Sequence, residues 1–200
     1  MIKGLHHNAY RCRDAEETRK FYEDFLGLPL VNAFEIRETK SGRDTHVLHA
    51  FFQMDDGSCL AFFEVPDSPF DFKEQHDYDL HIALEVPRDA LVTMKAKAEG
   101  AGIHVRGPAD HHMIDSIYLR DPNGYVIELT AKRDDHDAKM DPKTNGARAN
   151  FDAWTRDMIA WHFSPATGCD YWLKWAAAAK WDPIKEIKAF ADIAKFPHFD

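Results

Sequence analysis

The sequence is short of cationic charge, of cysteine and of long apolar runs, and each shortage removes a class of function. Lys and Arg number 25 against 34 Asp and Glu, a formal net charge of −9. Backbone phosphates and anionic lipid surfaces would be repelled, so no nucleic acid and no membrane is expected as a partner. No apolar stretch is long enough to span a bilayer. The opening residues, Met1-Ile-Lys-Gly-Leu-His-His7, enter a strand pattern without the apolar centre of a signal peptide. Cys12, Cys59 and Cys169 are too scattered, and odd in number, for a disulfide framework or a thiolate zinc cluster. The expectation is a reduced, soluble, cytoplasmic protein. Also missing are a phosphate-cradling glycine loop, a dinucleotide fingerprint, a Gly-x-Ser-x-Gly elbow and a helix-borne His-Glu-x-x-His. The 44% hydrophobic and 30% charged residues nevertheless describe a chain able to bury a core.

One stretch occurs twice. His7-Asn-Ala-Tyr-Arg-Cys-Arg-Asp14 leads into a helical run ending at Gly27, and His81-Ile-Ala-Leu-Glu-Val-Pro-Arg-Asp89 into one ending at Gly100 and Gly102. Asp14, with Glu17 three residues on, resembles a capping box. Phe21, Tyr22, Phe25 and Leu26 follow at helical spacing, and Gly27 supplies the stop. Strand patterns then cover about 30–37, 45–54 and 59–65, with Asp55-Asp56-Gly57 as a hairpin turn. After a polar linker, Asp67 to Tyr78, the second copy begins at Leu80. Its helix starts at Asp89 with Leu91, Met94 and Ala98 on one face, and strands follow at about 103–106, 113–120 and 125–130. The fold class is therefore α+β: paired βαβββ modules at about 1–66 and 79–131, within a domain at 1–131.

Residues 132–200 form a helical C-terminal extension that carries all five tryptophans: Trp154, Trp161, Trp172, Trp175 and Trp181. Residues 132–150 read as a charged loop or arm. The aromatic stripe beyond them reads as packing surface, against the modules or across a dimer, with a lid over a site as the alternative.

The repeat also carries chemistry. His7 and His81 stand at matching places, and Glu128 lies on the closing strand of the second copy, after Asp121-Pro-Asn-Gly124. Strand alternation separates His7, Ala9 and Arg11 from His6, Asn8 and Tyr10. A single strand does not say which face lines a cavity; the repeat favours His7 as the counterpart of His81. Two imidazoles and one carboxylate suit a borderline divalent metal with open positions. Lone strand histidines are usually ordinary core or surface residues. A carboxylate on an apolar strand, however, needs a counter-charge.

Gly4-Leu-His-His-Asn-Ala-Tyr-Arg-Cys-Arg-Asp14, Phe21-Tyr-Glu-Asp-Phe-Leu-Gly-Leu-Pro-Leu30, Asp79-Leu-His-Ile-Ala-Leu-Glu-Val86 and Asp121-Pro-Asn-Gly-Tyr-Val-Ile-Glu-Leu129 resemble the glyoxalase / bleomycin-resistance / extradiol-dioxygenase superfamily, the vicinal oxygen chelate fold. The resemblance spans both modules. It implies curved mixed sheets forming a cup around a divalent metal held by His7, His81 and Glu128. It also implies a homodimer in which half-sites from different subunits meet. Glyoxalase I members add a ligand from the last strand of the first module, where the corresponding residue here is Phe62, with Glu64 two residues on. Ring-cleaving dioxygenases similarly place a tyrosine ten residues before the glutamate, as Tyr118 is here. Their acid–base histidine is missing, and His76, His111 or His112 could replace it, imidazole being the side chain that titrates near neutral pH.

The resulting expectation is a metal-dependent, dioxygenase-like enzyme acting on a small substrate that chelates through adjacent oxygens. Fe(II) or Mn(II) is favoured, with Tyr118, His111 and His112 as catalytic candidates. The alternatives are a glyoxalase-like lyase or isomerase using Zn(II), Ni(II) or Co(II), and a drug-binding protein of the bleomycin-resistance type.

Overall fold

The computed structural model describes residues 2–144 and 146–197. In the first module β1 (His7–Cys12) leads into α1 (Ala15–Arg19). The Asp14 carboxylate accepts the Glu17 N–H at 2.8 Å, so the predicted cap is formed. α1 runs on as a π-helical segment over Lys20–Phe25, closed by a bond from the Leu26 N–H to the Phe21 carbonyl at 2.9 Å. The segment turns Phe21 and Tyr22 inward, and Gly27 (φ +88°) stops it. β2 (Leu30–Glu38), β3 (Asp44–Gln53) and β4 (Cys59–Glu64) complete a sheet of order β1-β4-β3-β2, with β1 parallel to β4.

The second module repeats this with β5 (Ile82–Glu85), α2 (Arg88–Gly100), β6 (Val105–Asp110), β7 (Ile114–Arg120) and β8 (Val126–Lys132), in the order β5-β8-β7-β6. α2 is capped at Pro87 and so starts ahead of Asp89. β6 runs past the expected end at about 106, through Gly107-Pro108, because the ladder with β7 shifts register there and resumes at Ala109. Gly107 has φ +108°, and a Cβ would lie 2.6 Å from the Ser116 carbonyl oxygen, so only glycine fits this crossing.

One apolar core joins the modules. Tyr22, Phe52, Leu60 and Phe62 from the first meet Ile117, Ile127 and Leu129 from the second. Burying each large side chain of this kind contributes about 1.5–3 kcal/mol. The turn at 121–124 clasps the halves together. The buried Tyr22 hydroxyl donates to Asp121 Oδ2 at 3.0 Å, the Arg13 N–H donates to Asn123 Oδ1 at 2.8 Å, and the Tyr125 hydroxyl donates to the Arg11 carbonyl at 2.9 Å. Tyr10 and Cys12 face this core, which leaves His7, Ala9 and Arg11 on the opposite face of the first sheet.

The chain divides after Arg133, and Asp134–Asp200 is a separate unit. It contains α3 (His136–Met140), α4 (Ala147–Phe163), α5 (Asp170–Ala179), α6 (Pro183–Glu186) and a 3₁₀ turn at Phe190–Lys195. The stretch read as a loop thus holds a short helix and the start of α4, where Ala147-Arg-Ala are strong helix formers. Three of the tryptophans do not need the modules to cover them: Trp172, Trp175 and Trp181 pack with Phe196 around buried Ile159, Phe163 and Ile187. Among the described residues no helix is long and apolar enough to cross a membrane.

Candidate metal centre

On β8, Ile127 and Leu129 point into the core, so Glu128 projects from the other face, yet only 4% of it is exposed. His81, just ahead of β5, brings Nε2 to 3.0 Å from Glu128 Oε2. The His81 Nδ1 lies 2.7 Å from the Asp77 carbonyl oxygen. A carbonyl only accepts, so Nδ1 carries a proton there. If the ring is neutral, Nε2 then presents a lone pair to a carboxylate lone pair. Contact at 3.0 Å requires either a second ring proton or a cation between them. Donors about 2.0–2.2 Å from a metal and at right angles to each other lie about 3 Å apart, so the pair fits two neighbouring ligands of a divalent ion. The Asp77 carbonyl is the outer partner that fixes the ring.

The cross-strand neighbour of Glu128 is Tyr118, whose hydroxyl donates to Oε1 at 2.9 Å. Burial, reinforced by the Glu128 carboxylate, pushes the phenol up to about 12, so it stays a donor. His111 Nε2 lies 2.7 Å from the same hydroxyl. With the phenol proton directed at Glu128, His111 Nε2 is the donor in that contact. Arg106 stacks its guanidinium 4.7 Å over the Tyr118 ring and pairs with Asp77. The second module therefore assembles His111, Tyr118, Glu128 and His81 on one face. His112 takes a left-handed φ of +67° with its backbone N–H on Asp110, and the ring at Tyr118 is that of His111. His76 accepts the Tyr78 N–H within the linker.

His7 does not join this group. It stands on the first sheet with His6 (Nδ1 to Nδ1, 2.7 Å), Phe51 and His49. Among the described residues, no three His, Cys, Asp or Glu side chains of the single chain are arranged to hold a metal ion. His49 carries no signal in the repeat, but its alternation against Ala50 and Phe52 could have placed it on the His7 face. It is buried, stacked 3.6 Å from Phe63, and has Nδ1 3.1 Å from the Phe62 carbonyl oxygen. Burial holds its pKa below the usual imidazole value.

The register corrects the expectation at Phe62. His7 precedes Ala9, paired with Ala61, as His81 precedes Ala83, paired with Glu128. Ala61 is thus the counterpart of Glu128, while Phe62 faces the core, 4.6 Å from the Tyr22 ring. Glu64 shares the core-facing side with Phe62, and its Oε2 accepts the Ala15 N–H at 2.9 Å. It caps α1 instead of facing His7.

Residues 4–129, inside the first unit, match the Glyoxalase/Bleomycin resistance protein/Dioxygenase superfamily. The chain belongs to this superfamily. It is 31% identical over 126 residues to the lactoylglutathione lyase of Haemophilus influenzae, covering 62% of this chain and 88% of that one. The metallothiol transferase FosB of Bacillus licheniformis is 28% identical over 130 residues, covering 64% and 75%. Among solved structures, the fosfomycin resistance protein FosX of Listeria monocytogenes shares the fold, with a TM-score of 0.53 at 20% identity over 68% of this chain and 98% of that one. A point mutant of FosX has been crystallised with Mn(II) and 1S,2S-dihydroxypropylphosphonic acid.

Proposed function

We propose that this superfamily member is a divalent-metal-dependent enzyme whose ion is held by His81 and Glu128 of one copy and His7 of a second. The observation that carries this reading is the His81–Glu128 contact, in which Nε2 and Oε2 stand 3.0 Å apart, the spacing of two neighbouring ligands of one divalent ion. The donor set suits Mn(II) or Fe(II), and also Zn(II), Ni(II) or Co(II). When bound, the ion supplies Lewis acidity to a small substrate that presents adjacent oxygens.

The chain's own residues then orient and move protons. Tyr118 holds its proton on the phenol oxygen beside Glu128 and can turn it toward a substrate oxygen. His111 restores the proton at that oxygen from Nε2. Lyase, isomerase or addition chemistry is the best-supported class, since it needs no oxidant and agrees with relatives named as a lactoylglutathione lyase and a metallothiol transferase. A dioxygenase is the second reading, favoured by the Tyr118–His111 pair, and oxygen uptake by the Fe(II)-loaded protein separates the two.

The test mixes His7→Ala protein with Glu128→Gln protein. Each variant alone loses the site. Random pairing in an isologous dimer restores one intact site in each mixed dimer, about a quarter of the wild-type metal content on average. Metal counted by mass spectrometry after desalting reads the result. No recovery on mixing sinks the shared site. Undiminished metal in both single variants sinks the triad and leaves a ligand-binding cup.

A further inference from the structure

A cleft of about 570 Å³ lies between β1, the linker and the 121–125 turn, and none of the metal-centre residues lines it. Its size falls within the range of small-molecule sites. Phe63, Phe70, Phe72 and Tyr125 give it aromatic walls. Arg11 and Lys73 outnumber Asp71 among its charged lining residues, in a chain whose net charge is −9. Arg13, stacked 4.2 Å over the Phe72 ring, adds a third cation beside it.

Arg11 is the decisive residue. Its Nη2 donates to the carbonyls of Val65 at 3.1 Å and Ser68 at 2.6 Å, and the guanidinium lies 5.2 Å from the centre of the Phe70 ring. Its Nε is sealed from solvent and is the one buried side-chain nitrogen or oxygen among the described residues with no partner. Leaving such a donor unsatisfied is costly, and more so on a charged group. A carboxylate on the guanidinium edge would satisfy it with a charge-assisted bond, and the linker ring stacked on Arg11 would shift to admit it.

We propose that this cleft binds a small molecule with a flat apolar body and one carboxylate, the body between the aromatic walls and the carboxylate on Arg11. The cleft shares Ala9, Arg11 and Phe63 with the His7 face, but His7, His81, Tyr118, Glu128 and His111 are not among its lining residues.

Calorimetric titration of the full chain with 1-naphthoate, in the presence of a chelator, tests it. The expected result is saturable binding at one site per chain. 1-Naphthol, with the same rings and no carboxylate, binds at least about tenfold more weakly, and Arg11→Gln loses about tenfold for naphthoate. Phe72→Ala, which leaves the Arg11 bonds intact, also weakens binding, while Glu128→Gln leaves it unchanged. Three results would overturn the proposal: no saturable binding, equal affinity for naphthoate and naphthol, or full affinity in both Arg11→Gln and Phe72→Ala. A loss in Glu128→Gln as large as in Arg11→Gln would also overturn it, by moving the ligand to the metal centre.

Discussion

Where the second sheet pairs Tyr118 with Glu128, the first pairs Phe51 with Ala61. The backbone is the same in both places: parallel first and last strands, and a histidine two residues before the strand partner of the key position. Only side-chain chemistry differs. The first module lines its face with Phe51, Phe63 and the buried His49, beside His7. The second lines the same face with a carboxylate, a phenol and two imidazoles in contact. A repeated scaffold thus carries a polar cluster in one copy and an aromatic wall in the other, and the proposed site takes one face of each kind.

The largest effect is expected from forcing the halves to match. Ala61→Glu places a carboxylate where Ala61 is fully buried, with Phe51 across the strand. It should lower stability by about 3–5 kcal/mol in denaturant titration. A variant as stable as the wild type would show that the first face already offers a charge partner there. Next in size, Tyr118→Phe gives the second module the phenyl ring of the first. Removing the hydroxyl that donates to Glu128 should weaken metal binding by about 10–100-fold, read by competition with a chromogenic chelator. Unchanged affinity would mean that the phenol does not act on the carboxylate.

The smallest effect concerns acid stability. Hydrogen bonding to Arg133 holds the Asp115 carboxyl below its ordinary value. A depressed carboxyl stabilises the fold above its unfolded pKa, and that contribution disappears as pH falls through the folded value. The melting temperature of wild type should therefore drop more steeply than that of Asp115→Asn between about pH 5 and pH 2. Parallel slopes would remove Asp115 from the acid response.

Much of this architecture is legible before any coordinates. The Asp14 cap, the Gly27 stop and the Asp55-Asp56-Gly57 turn are local signals, and each forms as expected. Glu128 and Tyr118 are ten residues apart in sequence and meet because a hairpin fixes their register. His49 was not visible because its importance comes from rings on three other strands. The Phe62 expectation failed by a single residue, and in a strand one residue is the whole difference between core and cup.

The sequence by itself determined the two modules, the helix and strand order, and the candidates His7, His81 and Glu128, because periodicity, caps and turns act over a few residues. Only the tertiary structure decided that His81, Glu128, Tyr118 and His111 touch while His7 stands on the other sheet. It also decided that Ala61 occupies the place of Glu128, and that Trp172, Trp175 and Trp181 pack within their own unit. Those outcomes depend on ladder register and on which faces meet in the core, and both are set by contacts between residues far apart in the chain.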